Sequence, residues 1–153
     1  MKEISINELG DIFAETLSAI VSTVSGFSLD VLPEEQDTGF YEIAGVMSLT
    51  GNKRGMVFIS AAEADMRTLC SFITGTPANE VTKDDIEDSL CELVNMTAGG
   101  AKLQLTGTDY LFSLSWPFVI KGSGMSISTK NNVRVISRIL SDGEISLGIK
   151  VVY

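Results

Sequence analysis

A chain of 153 residues is the length of one domain, long enough to bury a single core without disulfides or a structural metal. Apolar residues make up 44% of it and charged residues 20%, which is ordinary globular composition. Acidic residues number 20 against 11 basic ones, for a net charge of −9, and histidine is absent. That excludes a basic nucleic-acid-binding face, Ser-His-Asp and Cys-His catalysis, histidine metal sites and histidine phosphotransfer.

The first element is a helix over residues 5–24. Leu9, Ile12, Phe13, Leu17, Ile20, Val21 and Val24 recur at helical spacing, Asn7 can cap the start, and Gly26 ends it. Phe27 to Leu32 reads as a short strand and Pro33 to Gly39 as a polar loop. Phe40 to Leu49 and Gly55 to Ser60 are strand-like, and the turn from Thr50 to Arg54 joins them as a hairpin. Ala61 to Thr74 is helical and stops at Gly75-Thr76-Pro77. Thr82 caps a further helix, with Asp84 and Asp85 at its positive end, that runs to about Leu105. After Gly107 the pattern is strands: Leu111 to Ile120, Met125 to Thr129, Asn132 to Ser141 and Glu144 to Val152, with Asp142-Gly143 as a two-residue hairpin turn.

Strands that cluster in hairpins between long helices predict an α+β fold with a mainly antiparallel sheet rather than a doubly wound one. The layout of a long helix, a strand and a hairpin occurs at residues 5–60 and again at 82–152, which predicts two pseudo-symmetric halves in one domain, 1–153. An offset of 84 residues takes Glu8-Leu9-Gly10-Asp11 to Glu92-Leu93-Val94-Asn95 and Phe27 to Leu111. Cys70 and Cys91 form no CxxC pair and read as core or half-buried thiols in a reducing compartment. No apolar run reaches the length of a membrane span, and Met1-Lys2-Glu3 does not open a signal peptide. The expected location is the cytoplasm.

The informative segment runs from Asp88 to Lys102. At about 100° per residue, Asp88, Glu92, Asn95 and Gly99 fall within about 60° of one another. Leu90, Leu93, Val94, Thr97, Ala101 and Leu105 point the other way. The stripe can be a solvated helix face. Yet asparagine competes with the helix backbone, and Gly99 and Gly100 each cost about 1 kcal/mol relative to alanine. Either the helix ends at Gly99, or Gly99 leaves a notch beside the Asn95 amide. A carboxylate and an amide three residues apart project side by side. The amide cannot act as a base, but it can hold a water, and Glu92 can pair with a partner's cation.

This stripe resembles the signature of the CheC/CheX family of chemotaxis phosphatases: an acidic or hydroxyl residue, then Glu, Asn and a small residue at the spacings of Asp88, Glu92, Asn95 and Gly99. The Gly51 to Ser60 hairpin strand and the Pro117 to Gly124 segment resemble the family's flanking elements. The resemblance implies a single CheC-like domain that hydrolyses the phosphoaspartate of a CheY-like response regulator. Asn95 would orient the attacking water and Glu92 would pair with the regulator's lysine. Asp88 and Gly99 would assist docking. Mg2+ would belong to the regulator, with no cofactor held by this chain. On the first helix, Glu8 and Asp11 would mark a degenerate second site, and one intact motif favours CheX over CheC. Flagellar switch relatives share the fold without the full motif. Resemblance to CheX also implies a homodimer. Neither a nucleic acid nor a membrane is an expected partner. The alternative is a non-catalytic module of the same fold that binds a receiver domain or a CheD-type partner. A small-ligand sensor would need a pocket lined by Trp116, Phe112 and Phe118, residues that strand alternation makes ordinary core or interface positions.

Overall fold

Ser5, not Asn7, begins the first helix, α1 (Ile6–Ser25). Both residue types can cap, but only Ser5 has a glutamate three positions on. Its hydroxyl accepts from the Glu8 amide while the Glu8 carboxylate accepts from the Ser5 amide, a closed capping box. The computed structural model describes residues 1–33, 42–130 and 132–153. Within them, β1 is only Asp30–Val31, β2 is Ile43–Gly51 and β3 is Arg54–Ala61. Of the expected polar loop only Pro33 is described; residues 34–39 and Phe40 lie outside the described residues. Next come α2 (Glu63–Thr74), one 3-10 turn (Ala78–Glu80) and α3 (Lys83–Gln104). Thr82 and Asp85 close a second capping box at the start of α3.

The expected strand from Leu111 to Ile120 is two strands, β4 (Phe112–Ser113) and β5 (Phe118–Lys121), parted by Leu114-Ser115-Trp116-Pro117. Pro117 has no amide hydrogen to give a ladder, so the run breaks there. Met125 to Thr129 forms no strand. The last hairpin is β6 (Val135–Ser141) and β7 (Ser146–Val152). Its register pairs Ser141 with Ser146, so the connection has four residues and not two. Asp142 determines this: its carboxylate accepts from the Glu144 and Ile145 amides and closes a wider turn than an Asp-Gly pair alone requires.

The sheet is antiparallel throughout, in the order β1-β6-β7-β3-β2-β4, with β5 also on β2. Exchanging β1 with β4 and β5, β2 with β6, and β3 with β7 reproduces the same order reversed. That is a pseudo-two-fold axis between the central strands β3 and β7. The helices carry the same symmetry. The 84-residue offset takes Thr16 to Gly100, and these two residues touch: a Cβ on Gly100 would lie 2.7 Å from Thr16 Cγ2. On a two-fold, a residue meets its own equivalent only at the axis. The offset also takes Gly10 to Val94. Gly10 lies against Ile136 of β6, and Val94 lies over Gly45 of β2, where a Cβ would come within 2.7 Å of Val94 Cγ2.

The helices pack on the face of the sheet that carries Ile43, Met47, Val57, Ile59, Leu147, Ile149 and Leu140. From α3, Ile86, Leu90, Leu93, Val94 and Ala98 are buried in that core, as is Leu105, the residue that caps its end. Full burial of each larger apolar side chain contributes roughly 1.5–3 kcal/mol. That outweighs the roughly 1 kcal/mol cost of each interior glycine, and α3 continues unbroken past Gly99 and Gly100 to Gln104. The first strand of each half is donated to the other half's hairpin, so neither half closes its sheet alone.

Candidate functional site

The polar stripe of α3 faces solvent, with Gly99 at its end partly exposed. Asp88, Glu92 and Asn95 are exposed, while Leu90, Leu93, Val94 and Thr97 behind them are buried. Among the described residues, no salt bridge or side-chain hydrogen bond engages Glu92 or Asn95. One helical turn further on, no described residue beyond the local helix backbone lies within 4 Å of where a Cβ on Gly99 would sit. The notch beside the amide is open.

The stripe forms one wall of a groove. Asp88, Cys91, Glu92 and Asn95 line that side, and Leu114, Ser115, Trp116 and Pro117 line the other, around about 670 Å³. The second wall is the bulge between β4 and β5. Both strands pair with β2, β4 at Thr50 and Gly51 and β5 from Ile43 to Val46. The chain between them must arch over Met47 to Leu49. Ser115 Oγ ties the arch down by donating to the Ser48 carbonyl at 2.8 Å. Trp116, the single tryptophan, is 92% exposed. Phe112 went the other way: it is buried and stacks on Phe13, with ring centroids 6.0 Å apart. Sequence reasoning did not place the Leu114–Pro117 wall at the site, although Pro117 was the available signal that this stretch was not one strand.

Charge around the groove is ordered. Lys121 of β5 pairs with Glu87, one residue before Asp88, and that carboxylate raises the lysine's pKa. The Cys91 thiol is pushed up by burial first, then by Asp88 and Glu87. A thiol so placed is a weak nucleophile at neutral pH. Among the described residues, no group of three or more Cys, Asp or Glu side chains could hold a metal ion. No helix among them is long and apolar enough to cross a membrane.

The equivalent face of α1 is differently furnished. Glu8 is engaged in the capping box with Ser5, and those hydrogen bonds hold its carboxyl below the usual range. Asp11 accepts from Nε of Arg138 at 3.2 Å, and Arg138 is itself buried. Where α3 has Gly99, the 84-residue offset places Glu15, exposed and bulky. The two positions that are unengaged on α3 are therefore committed on α1, and the notch is filled.

The comparisons with known proteins agree with this architecture. In fold the chain is similar to a chemotaxis protein CheX from Vibrio vulnificus, with a TM-score of 0.82 at 21% identity over 94% of this chain and 97% of that one. It is equally similar to a CheC-like superfamily protein from Shewanella sp. PV-4, at 0.82 and 20% identity over 97% and 98%. A third likeness is to the CheX in a CheX-CheY-BeF3-Mg2+ complex from Borrelia burgdorferi, at 0.73 and 16% identity over 92% and 94%. These define the fold as CheC-like. No curated protein matches the sequence. The family model described as "Chemotaxis phosphatase CheX" matches residues 43–140. The chain belongs to the CheX family of chemotaxis phosphatases.

Proposed function

We propose that this chain accelerates hydrolysis of the phosphoaspartate of a CheY-like response regulator, with Glu92 and Asn95 as its catalytic pair. The observation that carries the reading is that an exposed carboxylate and an exposed amide, neither engaged by any described residue, stand side by side on one unbroken helix. Phosphoryl transfer depends on positioning and charge stabilisation rather than on a protein nucleophile. An amide can orient a water toward phosphorus without adding negative charge. A carboxylate there, as at Asp11, would be repelled by the phosphoryl oxygens. Glu92 pairs with a lysine of the receiver and fixes the register in which the amide enters. The Mg2+ ion and the phosphorylated aspartate are the receiver's. Asp88 assists docking from the start of the stripe, and Gly99 gives the receiver's backbone clearance. The Borrelia relative crystallised with CheY, BeF3 and Mg2+ supports a receiver as the partner.

The test is phosphate release from phosphorylated CheY-like receivers. Asn95→Ala is expected to remove at least about 100-fold of the acceleration, the scale of losing one preorganised polar group, with the fold intact because the side chain is exposed. Glu92→Lys weakens docking as well as turnover, since it sets two cations against each other. Binding without faster release would instead assign a non-catalytic docking module.

A further inference from the structure

The groove has two chemically different walls, and the catalytic reading uses only one of them. The other is apolar: Trp116 is 92% exposed, Leu114 42% and, just beyond on β5, Phe118 46%. A tryptophan left this bare contributes little to the core. It buries almost nothing, yet its position is held, by Pro117, by the Ser115 to Ser48 tie and by strands on either side that share β2. An aromatic side chain on a fixed arch loses little entropy when it docks, and tryptophan is a leading hot-spot residue at protein interfaces.

We infer that Trp116, flanked by Leu114, is the apolar anchor that seats the phosphorylated receiver, packing on nonpolar surface beside the receiver's acidic phosphorylation pocket while Glu92 and Asn95 enter it. The inference rests on the assignment of Glu92 and Asn95 as the receiver-facing pair. Three features choose this occupant. The aromatic wall and the polar pair line the same groove, so whatever meets one meets the other. A second copy of the chain docked across this groove would bring Asp88 and Glu92 toward their own equivalents, like charges in a chain of net charge −9. The same charge disfavours an anionic lipid surface. A receiver supplies what is missing on both walls, a lysine for Glu92 and protein surface for the ring.

Trp116 is the sole tryptophan, so its emission reports directly on the wall. A CheY-like receiver with its own tryptophans replaced by phenylalanine, loaded with beryllofluoride and Mg2+, is titrated into this chain. The emission is expected to move to the blue and saturate. In steady-state phosphate release Trp116→Ala should raise KM about tenfold, with kcat carrying little of the loss and Trp116→Phe recovering most of it. Phosphate release with no spectral shift, or an unchanged KM in Trp116→Ala, overturns the anchor while leaving the catalytic pair intact. A saturating shift without release upholds the anchor and refutes hydrolysis. A shift produced by concentrating this chain alone assigns the wall to a second copy and overturns the inference.

Discussion

Two adjacent glycines in α3 make opposite demands, and replacing them separately tests the packing and the site together. Alanine in place of glycine within a helix gains about 0.8–1 kcal/mol of intrinsic propensity. At Gly99 no described residue opposes that gain, because a Cβ there meets no atom within 4 Å beyond the local helix backbone. At Gly100 the Cβ would lie 2.7 Å from Thr16 Cγ2. Thr16 cannot easily turn aside, since its hydroxyl donates to the Ile12 carbonyl at 2.6 Å and accepts from Gln104 at 2.9 Å. Overpacking of that kind costs about 1–3 kcal/mol, so the propensity gain is cancelled or exceeded. In a domain of this size about 1 kcal/mol corresponds to roughly 2–4 °C in Tm. Thermal unfolding followed by circular dichroism should therefore show Gly99→Ala raised by a few degrees and Gly100→Ala unchanged or lowered. Gly99→Leu separates stability from function: it keeps most of the helix gain but fills the notch, so kcat/KM for the phosphorylated receiver should fall at least about tenfold. A destabilised Gly99→Ala would refute the open notch. A fully active Gly99→Leu would refute its role in docking.

Three further outcomes are expected. Asp11→Asn should not create a second active face, because Glu8 remains tied to Ser5 and Glu15 occupies the place of the notch; it should instead lower stability by about 1–2 kcal/mol by weakening a charged hydrogen bond to buried Arg138, read from urea unfolding. Thr97→Val should raise stability by about 1 kcal/mol, since the Thr97 hydroxyl is fully buried without a hydrogen-bond partner among the described residues. The carboxyls of Glu8, Asp85 and Asp142 have folded-state pKa values lowered by backbone amides, from ordinary values of 4.5, 3.8 and 3.8. Their contribution is complete above those ordinary values and is lost as pH falls through the depressed ones. Urea midpoints measured on the acid side should fall there, and Glu8→Gln with Asp85→Asn should flatten that fall.

The helices and the stripe were legible because burial on α1 and α3 follows the apolar period closely, and a 3.6-residue period is visible in one dimension. The first cap was misread at Asn7 although Ser5-Ile6-Asn7-Glu8 carries the capping-box spacing. The groove was half legible. Glu92 and Asn95 lie in one short motif, whereas Leu114 to Pro117 reaches them only because β4 and β5 both pair with β2. That is a long-range fact, and the apolar run from Leu111 to Ile120 reads the same for one strand as for two. The pseudo-symmetry was legible in the repeated layout of helix, strand and hairpin, with a short alignment in which Glu8 and Leu9 recur as Glu92 and Leu93. Its physical basis, the contact of Thr16 with Gly100 at the axis and the reversible strand order, belongs to the folded chain.

The chain carries neither histidine nor, among its described residues, a metal-binding cluster. Its proposed chemistry centres on the Asn95 amide. The most direct measurement is the rate of phosphate release from a phosphorylated CheY-like receiver with wild-type chain and with Asn95→Ala, each confirmed folded and receiver-binding. Acceleration by the wild-type chain and its near-complete loss in the variant, with binding retained, are the expected results. Full acceleration by Asn95→Ala would contradict the catalytic role of Asn95.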